Sequence, residues 1–125
     1  MAALKILVVD DSVTMRRIII NTLSRIGYNE TVEAEDGADA YATLESEDSI
    51  NFIITDWNMS NESGLEFVNM IRGGPFKELP VLMVTTRSMK EDIIEAMKAG
   101  VNSFIVKPFT PETLKEKIDI ILNTG

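Results

Sequence analysis

The chain has 125 residues, 45% of them apolar, enough for one globular domain that buries roughly two-thirds of its unfolded surface, with no room for a second. Asp and Glu number 20 against 12 Lys and Arg, and the formal net charge of -8 opposes the phosphate neutralisation that nucleic-acid binding needs. Cysteine and histidine are both absent, which excludes a disulfide framework, a thiolate nucleophile, a cysteine metal site, a serine-histidine triad and a histidine base.

In chain order, the first element is Lys5-Ile6-Leu7-Val8-Val9, an apolar run short enough for a strand, which ends abruptly in the adjacent carboxylates Asp10 and Asp11. One lysine before so short a run is not a signal peptide, and no segment approaches membrane-spanning length, so a cytoplasmic location is expected. Met15, Ile18, Ile19, Leu23 and Ile26 then repeat at helical spacing, with Gly27 where a C-terminal cap belongs. Thr31–Glu35 reads as the second strand. A weaker helix covers about Gly37 to Ser46 through Ala40, Tyr41 and Leu44.

Asn51–Thr55 reads as the third strand and delivers Asp56 at its end, in "NFIITDWNM". Ser63 followed by Glu66 matches a capping box, in which serine and glutamate satisfy free backbone N–H groups at a helix start. Gly73-Gly74-Pro75 marks a loop, and Pro80–Val84 the fourth strand, with Thr85 after it. Ser88 and Glu91 repeat the capping-box pattern. Ser103–Val106 is the fifth strand, followed by Lys107-Pro108, and Thr110-Pro111 reads as cap and first residue of a helix that carries Leu114, Ile118, Ile121 and Leu122 on one face.

Five strand–helix units with short connections require right-handed crossovers and helices on both faces of a parallel sheet. The expected architecture is a doubly wound α/β domain over residues 1–125, with no repeat, linker or output domain. The first, third and fourth strands are expected to be buried on both faces.

In such sheets ligands sit beyond the carboxyl ends of the strands, where the strand order reverses. In the flavodoxin-like order 2-1-3-4-5 the first and third strands are neighbours there, so Asp10, Asp11 and Asp56 converge in one crevice. A single aspartate at a strand end is ordinarily a helix cap or turn former, and a lone lysine before proline a solvated terminus. Three acids together must raise one another's pKa or bind a cation. Oxygen ligands without His or Cys suit Mg²⁺, Mn²⁺ or Ca²⁺, and Mg²⁺ that keeps several waters is the most economical choice. Thr85 adds a hydroxyl and Lys107 an ammonium at the same edge. The set suits a phosphoryl group bridged to a metal.

These residues carry a family resemblance. With Asp10-Asp11, Asp56, Thr85 and Lys107-Pro108 in order and at matching separations, the chain resembles a two-component receiver domain along essentially its whole length. The stretches "LVVDDS", "TMRRI", "EAEDG", "DWNM", "LPVLMVTT" and "VKPFT" make it most similar to the chemotaxis response regulators. The resemblance implies that Asp56 accepts a phosphoryl group from the phosphohistidine of a chemotaxis histidine kinase. It implies that Asp11 and Asp56 bind Mg²⁺ directly, with Mn²⁺ as a substitute, that Asp10 binds it through water, and that the backbone carbonyl of Asn58 completes the protein ligands. Lys107 would pair with the phosphoryl oxygens across a cis Lys107-Pro108 bond, and Thr85 would donate its hydroxyl and move inward. Thr85 movement would be coupled to Phe104, which lacks the hydroxyl of the tyrosine found in the best-known pattern. Ile93, Met97, Val101, Phe104 and Lys117 would line a face for an amphipathic helix of the flagellar motor switch protein, with an auxiliary phosphatase as a further partner and the chain itself a monomer. For Ile93 and Met97 plain core packing is the competing expectation.

Three further departures from the family pattern stand out. Ser60 replaces a common proline four residues after the phosphoacceptor, which would loosen that loop. Thr86 stands where Ala or Gly is common, and Arg87 adds a positive charge nearby. Together these two would alter phosphotransfer or dephosphorylation rates, and unchanged rates in a Thr86→Ala, Arg87→Glu variant would refute that. Trp57 is expected to be exposed beside the metal. Three functions follow: a phosphorylation-switched binding module, catalysing only its own phosphorylation and dephosphorylation; a phosphorelay intermediate or phosphate sink; and a metal-dependent small-molecule phosphatase. The last would want a second acid two residues after Asp56, where Asn58 stands. A flavin-binding role is disfavoured because "DDSVT" would repel the cofactor's phosphate, and P-loop and dinucleotide fingerprints are absent.

Overall fold

The protein is described by a computed structural model covering residues 3–59 and 63–124. Ten elements alternate along the chain: β1 Lys5–Val9, α1 Val13–Arg25, β2 Glu30–Ala34, α2 Gly37–Ser46, β3 Phe52–Asp56, α3 Gly64–Arg72, β4 Val81–Thr85, α4 Lys90–Ala99, β5 Ser103–Val106 and α5 Pro111–Thr124. The strands form one parallel sheet in the order β2-β1-β3-β4-β5. This is the flavodoxin-like arrangement expected. β1 and β5 have their expected bounds. β2 begins one residue earlier than its apolar run, because Glu30 pairs with Lys5. β3 and β4 run one residue later, because Asp56 pairs with Val84 and Thr85 with Val106. The ladder therefore includes the two polar residues that the apolar pattern placed just outside it.

Alternation along the strands divides the interior into two layers. Ile6, Val8, Phe52, Ile54, Leu82, Val84 and Ile105 face Ile19 and Leu23 of α1 and Leu114, Ile118 and Ile121 of α5. Leu7, Val9, Ile53, Val81 and Met83 pack on the other side against α2, α3 and Ala96 of α4. β3 and β4 are buried at every position and β1 at all but Lys5. Each such aliphatic side chain removed from water contributes about 1.5–3 kcal/mol.

Caps set most of the helix starts. Ser12 Oγ accepts from the Met15 N–H at 3.1 Å, Asp36 from Asp39, and Thr110 from Thr113. The capping box of Ser63 and Glu66 forms in both directions. The second expected box does not. α4 starts at Lys90 with Met89 in the cap position and no side-chain cap, so Ser88 stands one residue too early to meet the free N–H groups. Gly27 (φ +102°), just beyond α1, and Gly100 (φ +107°), just beyond α4, take the left-handed conformation that side chains disfavour.

Candidate phosphoacceptor and metal site

The same alternation that builds the α1/α5 core continues past the strand ends. Asp10 follows Ile6 and Val8, Asp56 follows Phe52 and Ile54, and Lys107 follows Ile105, so all three extend the rows facing α1 and α5. The outcome is convergence. Carboxylate oxygens of Asp10, Asp11 and Asp56 lie within 4.8 Å of one another. Lys107 Nζ stands 3.3 Å from Asp56 Oδ1 and 3.9 Å from Asp10 Oδ2, and the Lys107-Pro108 bond is cis.

Burial differs sharply within the trio: Asp10 and Asp56 are 1% and 8% exposed, whereas Asp11 is open to solvent. Burial is the main reason both buried carboxyls have pKa values above the ordinary 3.8. Repulsion among the acids adds a smaller upward push, as expected of neighbouring carboxylates, and Lys107 and local backbone N–H groups offset part. Asp56 Oδ1 accepts from the Trp57 N–H at 2.9 Å and Asp10 Oδ1 from the Ser12 N–H at 2.9 Å. Asp10 Oδ2 is buried without a hydrogen-bond partner among the described residues. A buried carboxylate oxygen left this way is costly unless a cation or donor reaches it. The donor set is all oxygen, close together and overcharged, and it fits a hard divalent cation.

Thr85 is buried at the end of β4, and its Oγ1 accepts from the Arg87 N–H at 2.9 Å, which leaves the hydroxyl proton to donate elsewhere. Asn58 is exposed beyond β3. Arg87 lies over the Trp57 ring at 4.6 Å, with Asp92 at 3.5 Å and Asn58 Oδ1 at 3.4 Å. The expected exposed Trp57 is therefore wrong. The ring is only 5% exposed and belongs to the core with Phe67 and Met83. Thr86 is exposed and lines a surface cavity of about 370 Å³ with Met15, Ile18, Lys107, Pro108 and Phe109. Ser60, expected to loosen its loop, lies outside the described residues.

On the far face, Phe104 is half-buried with Lys117 Nζ 5.8 Å from its ring. Ile93 is half-buried, and Met97 is 46% exposed, so the core-packing expectation fails for Met97. Val101, at 3% exposure, is core rather than surface. The left-handed turn at Gly100 and the Val101 N–H bond to Ala96 O direct it inward.

The residue reading missed Arg16. Its side chain is 13% exposed; Nη1 donates to the Asp10 carbonyl at 2.6 Å and Nε to Glu33 Oε1 at 2.9 Å. In "TMRRI" it is one of two adjacent arginines on a helix, and nothing but its place one turn after "DDS" distinguishes it.

Comparison with known proteins agrees with this geometry. The family model for the response regulator receiver domain matches residues 6–119. The chain is 52% identical over 123 residues to chemotaxis protein CheY1 of Helicobacter pylori, covering 98% of this chain and 99% of that protein. It is 50% identical to the chemotaxis protein CheY homolog of Campylobacter jejuni, covering 98% and 95%. The solved structure of chemotaxis protein CheY4 of Vibrio cholerae superposes with a TM-score of 0.86 at 37% identity, covering 96% of this chain and 99% of that one. Acid cluster, lysine, fold and sequence point the same way: the chain belongs to the response regulator receiver domain family.

Proposed function

We propose that the protein is a phosphorylation-activated chemotaxis regulator in which Asp56 accepts a phosphoryl group from the phosphohistidine of a chemotaxis kinase. The supporting observation is the convergence of Asp10, Asp11 and Asp56 oxygens within 4.8 Å beside Lys107. A carboxylate oxygen of Asp56 attacks phosphorus, the phosphorus–nitrogen bond of the donor breaks, and the imidazole leaves with the bonding pair and takes up a proton, which yields an acyl phosphate on Asp56. Asp11 and Asp56, with Asp10 through water and the Asn58 backbone carbonyl, would hold Mg²⁺, or Mn²⁺ in its place. When bound, that ion supplies positive charge for the phosphoryl oxygens and offsets the repulsion between them and the carboxylates.

Lys107 already neutralises Asp56 in the resting protein at 3.3 Å. On transfer its ammonium moves from the carboxylate to a phosphoryl oxygen, a strong charge-assisted contact available to a flexible point charge. The Thr85 hydroxyl donates to the same group. Its backbone carbonyl accepts from the Lys107 N–H at 2.8 Å, so the two residues are tied at the main chain as well. A shift of Thr85 then reaches β5 and Phe104, and the face formed by α4, β5 and α5 changes its affinity for the flagellar motor switch protein.

The test mixes the chain, Mg²⁺ and a radiolabelled phosphohistidine kinase, then measures affinity for the motor-switch N-terminal peptide with and without the transferred group. Label on Asp56, absent in Asp56→Asn, together with tighter peptide binding is the expected result. Label on Asp56 with unchanged peptide affinity would favour a relay or phosphate sink. No label on Asp56 would remove the proposal.

A further inference from the structure

Side chains on a helix lean toward its N-terminus and cover the turn before their own position. Arg16 is the fourth residue of α1, so it reaches back over Asp10-Asp11-Ser12, the segment carrying two of the three acids. Arg16 there ties that segment to α1 through its backbone and to β2 through its guanidinium. Its backbone N–H bonds Ser12 O in the first turn of α1, its Nη1 holds the Asp10 carbonyl at 2.6 Å, and its Nε holds Glu33 of β2 at 2.9 Å.

Asp10 is held by three hydrogen bonds, one of them from Arg16. Its N–H donates to Ala34 O at 3.1 Å, its carbonyl accepts from Arg16, and its Oδ1 accepts from the Ser12 N–H. Oδ2 is the remaining polar atom, buried and without a hydrogen-bond partner among the described residues. The residue is thus held with one oxygen free of hydrogen bonds, and Lys107 Nζ stands 3.9 Å from it. We propose that Arg16, braced by Glu33, is a positioning residue that fixes the Asp10-Asp11 segment and thereby sets the affinity of the cluster for a divalent cation. The proposal rests on the metal reading above.

The chemistry requires an arginine. Its planar fork places two N–H groups on acceptors in different strands and loops at once, whereas an ammonium is a single point charge on a flexible stem. Charge and positioning also predict opposite signs. Removing a cation from beside a dication's site should tighten binding on charge alone, but Glu33 already compensates Arg16 at 2.9 Å. The dominant effect of its loss is a freed loop, and binding weakens.

The experiment is calorimetric titration of Mg²⁺ into the whole chain at neutral pH, for the wild type, Arg16→Lys and Arg16→Ala, with urea unfolding in EDTA alongside. Arg16→Lys keeps the charge and part of the stem packing and so guards against a misfolded Arg16→Ala. Both variants should bind Mg²⁺ roughly tenfold more weakly, as when a partner that orients a metal ligand is lost. A purely structural role would lower the urea midpoint and leave Mg²⁺ affinity unchanged, and that result, or tighter binding, overturns the proposal. A wild type that binds no Mg²⁺ removes the metal reading itself and the inference with it.

Discussion

β3–α3 and β4–α4 each deliver a polar side chain, Asp56 and Thr85, to the same rim, and each returns over the same face of the sheet through a helix. α3 is closed at its start by a complete capping box and buries Gly64, Phe67, Val68 and Ile71. α4 has Met89 in the cap position, no side-chain bond there, and Ala96 as its one buried residue. Met89, Ile94 and Met97 are all exposed. The α3 unit is therefore a fixed wall behind Asp56, while α4 is the element with little packing to lose on moving. Local stability follows buried apolar contact, and moving parts are drawn from its low end.

Packing makes the largest test. Phe67→Ala in α3 empties a fully buried ring site and should cost about 3–5 kcal/mol in urea unfolding, whereas Met97→Ala in α4 should stay within about 0.5 kcal/mol. Comparable losses would erase the contrast. Gly64→Ala comes next. A Cβ there would collide with the carbonyl of Asp56 and lie 2.9 Å from Met83 Cε and 3.0 Å from Trp57 Cα. Two of those atoms are backbone and cannot swing away, so α3 must shift, at roughly 1–3 kcal/mol by analogy with overpacked cores. The same variant should slow labelling of Asp56 by a small-molecule phosphodonor, because α3 seats directly against that residue. Normal labelling with normal stability would show that the close approach is not needed.

Most of this architecture was legible in the sequence because it depends on alternation and on short apolar runs. Strand ends were displaced by one residue where the ladder takes in a polar side chain, as at Asp56 and Thr85. The three acids and Lys107 could be brought together from strand order alone. What could not be read was decided by tertiary contact. The Ser88 box has the right residue types, but the turn after Thr85 starts α4 one residue later than those types predict. Trp57 looks like a loop aromatic until Arg87 closes over it and Phe67 packs in the same cluster. Val101 reads as a surface residue until Gly100 turns the chain. Arg16 has no signature, since its partners Asp10 and Glu33 lie on different elements.

The two units also differ in charge. Asp56 ends β3 as a buried carboxylate, and Thr85 ends β4 as a neutral hydroxyl. Because burial raises the pKa of Asp56 above its unfolded value of about 3.8, the folded state holds its proton to higher pH. The associated stabilisation is present below 3.8 and is lost as pH rises through the raised folded value. Without metal, Asp56→Asn should therefore gain stability relative to wild type across that rise and then level off. Saturating Mg²⁺ should shrink the gap because it stabilises the ionised wild type. A Thr85→Ala variant should show no such pH-dependent difference. A gap that is flat with pH, or one that Mg²⁺ widens, would mean that the charge on the β3 unit is not the load described.

The smallest expected effect bears most directly on how firmly α4 is held. Met89 has extended backbone angles, φ -71° and ψ 145°, which already suit a cap residue, so only its side chain is wrong for the role. Met89→Ser would place a hydroxyl where it can accept from the N–H of Asp92, three residues on, as Ser63 does from Glu66 in α3. The expected gain is about 0.5–1 kcal/mol in urea unfolding, with slower amide exchange at Ile93 and Ile94. If α4 must shift for the signal to leave the site, the fastened helix should also show a smaller phosphorylation-dependent change in peptide affinity. A stabilised α4 with an undiminished change would locate the moving element in β5 and Phe104 instead, because the cap would then have tightened a helix that signalling does not need to move.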